Sequence, residues 1–95
     1  CATKGAVELI TKALALEWAP SGIRVNALGP ALVITPGTKH IAEDPQLAAK
    51  YASAVPLGRI GLPEDMVGAV VYLCSDAASF VSGQTIYVDG GLTAA

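Results

Sequence analysis

IRVNALGP (residues 23–30) is the stretch on which the fold turns. Residues 23–28 read as a short strand with mixed faces, and Gly29-Pro30 ends it. Upstream, CATKGAVELITKALALEW (1–18) reads as a helix running to about Trp18. There Ala19 precedes Pro20, and Ser21-Gly22 completes the stop. Downstream, residues 31–44 read as irregular loop with Pro36-Gly37 as a turn. Asp44-Pro45 is an N-cap and first-turn pair for a modest helix, QLAAKYASA, that ends before Pro56. LGRIGL (57–62) is loop. Pro63-Glu64-Asp65 then opens a helix, with proline at its first position and two acids at the positive end of its dipole. QTIYV (84–88) alternates Thr85 and Tyr87 against Ile86 and Val88, reads as a second strand, and turns off at Asp89-Gly90-Gly91. Two strands joined by a long helical crossover call for a parallel pair, hence an α/β fold.

The helices are more apolar than two strands can cover. In the first, Ala2, Ala6, Leu9, Ala13 and Leu16 form one stripe, and Val7, Ile10, Leu14 and Trp18 another. Together they span roughly 200°, where packing on one side needs about 100°. Only the arc holding Lys4, Glu8 and Thr11 is clearly polar. MVGAVVYLC (66–74) is apolar all round, and Cys74 within it is expected in the core. Both helices should be covered on more than one side, and two strands alone make no stable sheet. With no capping residue before Cys1, the chain is expected to start partway along a helix. Residues 1–95 are expected to be the C-terminal portion of a doubly wound parallel-sheet domain.

Composition narrows the partners. The chain is 53% hydrophobic with a net charge of −2, which leaves no basic stripe for nucleic acid. The longest apolar run, Met66 to Cys74, falls far short of the roughly 18 residues that span a bilayer. Cys1 and Cys74 match no metal or redox spacing. They read as free thiols of a cytoplasmic protein, with a single long-range disulfide the alternative.

CATKGAVELITKALALEWAPSGIRVNALGP (1–30) and GRIGLPEDMVGAVVYLCSDAASFVSGQTIYVDGG (58–91) together resemble the C-terminal half of the short-chain dehydrogenase/reductase family. Several blocks agree in order and spacing; VDGG alone would say little. In that family a catalytic tyrosine precedes a lysine by four residues. Cys1-Ala2-Thr3 then stand between the two, Lys4 matches the family lysine, and the tyrosine falls immediately before Cys1. Residues four apart share a helix face. An ammonium about 4 Å from a phenolate gains roughly 4 kcal/mol at an effective dielectric near 20. That lowers a phenol pKa by up to about three from its ordinary ~10. The resemblance makes Lys4 both catalytic and cofactor-binding, through the nicotinamide ribose. Without it, Lys4 reads as a solvated charge facing Glu8 one turn on.

The resemblance also implies a cofactor, NAD or NADP, and no metal. In the loop GPALVITP (29–36) the family usually has P-G-x-[IV]-x-T, which binds the nicotinamide carboxamide. On that pattern Pro30, Val33 and Thr35 carry over. Ala31 stands at the same site where the family has glycine, so its β-carbon is expected to crowd the nicotinamide or to oppose a positive φ. A loop leaving the carboxyl end of a parallel strand is where open α/β sheets bind ligands. Residues 36–57 are expected to form a substrate lid with one short helix.

The implied reaction moves hydride between the nicotinamide and a small secondary alcohol or its ketone, a sugar acid or polyol ahead of a 3-oxoacyl thioester. The other class of reading is a truncated, non-catalytic chain that docks to intact subunits. Assembly is expected to be a homo-oligomer, tetramer or dimer. Elsewhere, His40 reads as a surface or lid residue, Arg59 and Asp65 as a brace across a loop–helix junction, and Asp89 as a turn residue.

Overall fold

The structure, a computed structural model, describes residues 2–94. Six elements follow in order: α1 (Ala2–Trp18), β1 (Ala27–Pro30), α2 (Lys39–Glu43), α3 (Pro45–Ala54), α4 (Pro63–Cys74) and β2 (Thr85–Val88). The two strands form one parallel pair, so the class is α/β. Cys1, read above as a free thiol within the first helix, lies outside the described residues.

The chain divides into two compact units, Cys1–Leu28 with Ala69–Ile86, and Gly29–Gly68 with Tyr87–Ala95. In the first unit α1 ends as its residues dictate. A 3-10 turn at Ala19–Ser21 follows, and Gly22 at φ +74° donates its N–H to the Ala19 carbonyl at 2.9 Å. A β-carbon is disfavoured in that left-handed conformation, which glycine adopts freely. The unit's buried residues are small: Ala15 at 7% exposure, Ala78 at 0% and Thr11 at 6%. Thr11 belongs to the arc expected to face water, yet it is buried. Its hydroxyl donates to the Val7 carbonyl one turn back at 2.7 Å, which satisfies the group locally.

Strand β1 begins later than its sequence pattern suggests and runs through Gly29-Pro30. The reason is visible in residues 23–26, which bond mainly through side chains and loop backbone. The Arg24 guanidinium donates to the carbonyls of Leu73 (2.8 Å), Val81 (3.2 Å) and Ser75 (3.5 Å). Asn26 donates to the Val81 carbonyl at 2.9 Å and accepts the Gln84 N–H at 3.0 Å. The main-chain ladder starts among these bonds, the Val25 carbonyl accepting the Gly83 N–H at 2.7 Å and the Ala27 N–H meeting the Gln84 carbonyl at 2.9 Å. Pro30, which has no N–H to donate, closes the strand without breaking that ladder.

In the second unit Asp44 caps α3 as expected, its carboxylate accepting the N–H groups of Gln46 (3.0 Å) and Leu47 (3.3 Å). The segment read as loop contains α2, so residues 36–57 carry two short helices. Lys39 and Glu43 pair at 3.4 Å along α2, and Ile41 is its buried residue. The turn at the end of β2 brings Gly90, at φ +63°, against the loop after α3. A β-carbon on Gly90 would stand 2.5 Å from the Val55 Cγ1. Beside it Asp89 is buried and caps the turn, accepting from Gly91 N–H (3.0 Å) and Thr93 N–H (3.1 Å). It is the turn residue expected.

Neither apolar helix is covered on more than one side within the described residues. On α1, Leu9 is 69% exposed and Leu16 79%; on α4, Val67 and Val71 are exposed as well. Cys74 is exposed rather than in the core. A helix apolar all round gives no polar face by which to orient its last residue. Among the described residues no helix is long and apolar enough to cross a membrane.

Candidate functional site

Four of the five candidate residues lie together in the second unit, Pro30 at the end of β1 and Ala31, Val33 and Thr35 on the loop that leaves it. Leaving β1, residues 31–35 run beside the 57–62 loop and join it through a parallel bridge between Val33 and Gly61. The Ile34 N–H donates to the Gly61 carbonyl at 2.9 Å, and the Gly61 N–H donates to the Leu32 carbonyl at 3.0 Å. Val33 is thereby half-buried, whereas Pro30 and Thr35 are exposed. Ala31 lines an open cleft of about 150 Å³ with Leu32, Val55, Leu57, Met66 and Val88. No non-glycine residue among those described has a positive φ, so the backbone strain expected at Ala31 is not there. Lys4 stands exposed on α1, in the first unit.

Two polar arrangements brace this loop. Arg59, 58% exposed, and Asp65, 28% exposed, sit at the cleft and pair in a fork. Arg59 Nη1 donates to Oδ2 at 2.7 Å and Nη2 to Oδ1 at 2.8 Å, the planar bidentate geometry that suits guanidinium and carboxylate. Asp65 Oδ2 also accepts the Leu62 N–H at 2.7 Å, which ties the start of α4 to the loop before it. The hydrogen bonds from Arg59, then that from Leu62, hold the Asp65 carboxyl down at about 2, while Asp65 raises the Arg59 guanidinium. This is the brace expected from sequence.

The second arrangement was not read from sequence. The Thr38 hydroxyl donates to the Val33 carbonyl at 2.6 Å and accepts the Thr35 N–H at 2.8 Å. The signal was available: a threonine three residues after Thr35, just past Pro36-Gly37, has the spacing of a hydroxyl that folds back on its own loop. His40 is exposed on α2. Among the described residues no three His, Cys, Asp or Glu side chains gather as a metal site.

Comparison with known proteins adds the following. The family model described as enoyl-(acyl carrier protein) reductase matches residues 1–93. The 3beta-hydroxysteroid dehydrogenase 1 of Eggerthella lenta is 46% identical over 92 residues, covering 97% of this chain and 35% of that protein. The galactitol 2-dehydrogenase (L-tagatose-forming) of Cereibacter sphaeroides is 47% identical, covering 97% and 36%. Among solved structures, a putative NAD(P)-dependent gluconate 5-dehydrogenase from Beutenbergia cavernae, with NADP bound at low occupancy, superposes with a TM-score of 0.88. It is 50% identical and covers 99% of this chain and 38% of that one. The chain thus spans about a third of the length of the relatives it matches.

The Arg59–Asp65 fork sets a pH dependence. A carboxyl held below its ordinary 3.8 favours the folded form above that value and loses its contribution as pH falls toward about 2. Carboxyl-detected NMR titration should therefore place the Asp65 midpoint near 2, and Arg59→Gln should move it back up toward 3.8. An unmoved midpoint in the variant would show that Arg59 does not hold the carboxylate.

Proposed function

The chain belongs to the short-chain dehydrogenase/reductase family, and we propose that residues 1–95 are the C-terminal portion of one Rossmann-like domain of an NAD(P)-dependent oxidoreductase. Its reaction moves hydride between the cofactor and a secondary alcohol or its ketone. The observation that carries this reading is the near end-to-end match to dehydrogenases, two of which are named for a polyol and a sugar acid. A polyol or sugar acid is accordingly the substrate class. A second reading, a 3-oxoacyl-thioester reductase, is favoured by the acyl-carrier-protein description of the matched family.

The residues present suit a nicotinamide. Thr35 offers an exposed hydroxyl on the loop that leaves β1, and Pro30, Ala31 and Val33 bring unstrained backbone to the same loop. Bound there, the cofactor supplies the hydride acceptor or donor. Lys4 is an exposed cation on α1. Its roles are to hold the ribose hydroxyls and to lower the pKa of a phenol one helical turn upstream, in the residue before Cys1. Residues 36–57, carrying α2 and α3, act as a lid over the alcohol, since loops and short helices over a rigid sheet commonly close on substrate. The enzyme works in the cytoplasm, with no need of nucleic acid or membrane.

The apolar stripes of α1 and α4 form contacts between copies in a homo-oligomer, a tetramer or a dimer. Ala6, Leu9, Ala13 and Leu16 on α1 and Val70 and Leu73 on α4 are the contact residues. Small residues such as Ala6 and Ala13 let two helix axes approach toward the lower end of the usual ~8–10 Å.

Three measurements test this. The full-length enzyme, offered galactitol, gluconate and a 3-oxoacyl thioester with each nicotinamide, should turn over the polyol or sugar acid. Turnover of the thioester alone would reverse the order of the two readings. Lys4→Ala should lower kcat at least about a hundredfold; a variant keeping more than half of wild-type kcat removes Lys4 from the chemistry. Ala13→Asp would bury an unpaired charge at a contact, costing several kcal/mol. Light scattering should then report a smaller mass than wild type, and a wild type that is itself monomeric ends the idea.

A further inference from the structure

The hydroxyl of Thr38 points away from the helix it precedes. Thr38 holds the N-cap position of α2, where a threonine ordinarily turns its oxygen onto the first helical N–H groups. Its side chain makes no such bond, and the Ile41 N–H is met by the Thr38 main-chain carbonyl at 3.0 Å. The hydroxyl reaches back instead to residues 33–35, with the two bonds to Val33 and Thr35 described above.

Those two bonds fix the direction of a third. A hydroxyl has one proton to give and two lone pairs with which to accept. A carbonyl oxygen only accepts, so the Thr38 proton is committed to Val33. An N–H only donates, so one Thr38 lone pair is committed to Thr35. The two threonine hydroxyl oxygens lie 3.3 Å apart. With the Thr38 proton already spent, the only group able to donate across that contact is the Thr35 hydroxyl. Thr35 then keeps two lone pairs and no proton for anything that approaches from solvent.

We propose that Thr38 is a positioning residue that makes exposed Thr35 an acceptor-only group, selecting a ligand that presents an N–H there. In the nicotinamide loop the matching group is the carboxamide –NH2, and a ligand offering only a carbonyl or carboxylate oxygen at that point is disfavoured. This rests on reading residues 30–35 as the nicotinamide loop, and the test below separates the two.

The probes are the natural oxidised dinucleotide and its nicotinic-acid analogue, which presents an acceptor-only carboxylate oxygen where the carboxamide presents its –NH2, so that only a Thr35 with a free proton can bond it. Their dissociation constants are measured by calorimetry on the full-length enzyme, without substrate. Wild type should bind the carboxamide form about five- to tenfold more tightly, the scale of one net hydrogen bond. Thr38→Val should shrink that ratio below about twofold, and Thr38→Ser, which restores the hydroxyl, should return it. A residue that merely braces the loop would weaken both dinucleotides alike and leave the ratio standing. A wild-type ratio near one, an unchanged ratio in Thr38→Val, or a lost ratio in Thr38→Ser overturns the proposal. The serine arm decides alone if the valine variant does not fold. Thr35→Val is the control. An unchanged ratio there sinks the nicotinamide-loop reading itself. A ratio lost in Thr35→Val but kept in Thr38→Val sinks only the role of Thr38.

Discussion

Two backbone hydrogen bonds across the Val33–Gly61 bridge are what the candidate loop depends on. The segment from Ala31 to Thr35 belongs to no helix and to neither main strand, so its polar backbone needs partners from somewhere. Gly61 supplies a donor and an acceptor, and the loop that carries it is itself held by the Arg59–Asp65 fork. On the other flank the Thr38 hydroxyl closes the loop over Val33. Thr35 is therefore exposed without being loose. Surface ion pairs are worth little in general. This one differs in geometry, since a bidentate fork with a third bond from a main-chain N–H fixes orientation, and orientation is what the bridge requires.

The elements legible in the sequence were those specified by chemistry within a few residues. Asp44-Pro45 and Pro63-Glu64-Asp65 start helices because capping and dipole effects act over one turn, and both helices stand where those residues put them. Gly22 and Asp89-Gly90-Gly91 stop elements for equally local reasons. The register of β1 was less accessible. Strand pairing is decided by the partner, and Arg24 and Asn26 take up the Val81 carbonyl and the Gln84 N–H with their side chains beside the ladder. Nothing in IRVNAL announces those distant partners. Helix α2 was missed because five residues carry too little periodicity, and its one local signal is the Lys39–Glu43 pair.

The candidate site divides in the same way. Thr35 and its neighbours follow from a motif and lie together on one loop. Thr38 needs the folded loop to show which groups its hydroxyl meets. The burial pattern of α1 was read in reverse at one position, because Thr11 satisfies its own hydroxyl against Val7 and so tolerates burial. Leu9 and Leu16 meanwhile remain bare. Hydrophobicity ranks side chains by what burial would yield, and says nothing about whether a partner surface is at hand.

The two compact units are interleaved along the chain, and that has a consequence for synthesis. The first unit needs both Cys1–Leu28 and Ala69–Ile86, and the second needs both Gly29–Gly68 and Tyr87–Ala95. A ribosome delivers these segments in order, so α1 emerges well before the residues that hold Arg24 and Asn26 in place. The 40 residues of Gly29–Gly68 separate the two halves of the first unit, a delay of roughly 2–8 s at usual elongation rates. Through that interval Arg24 and Asn26 lack the carbonyls and N–H of residues 73–84 that their side chains meet in the fold.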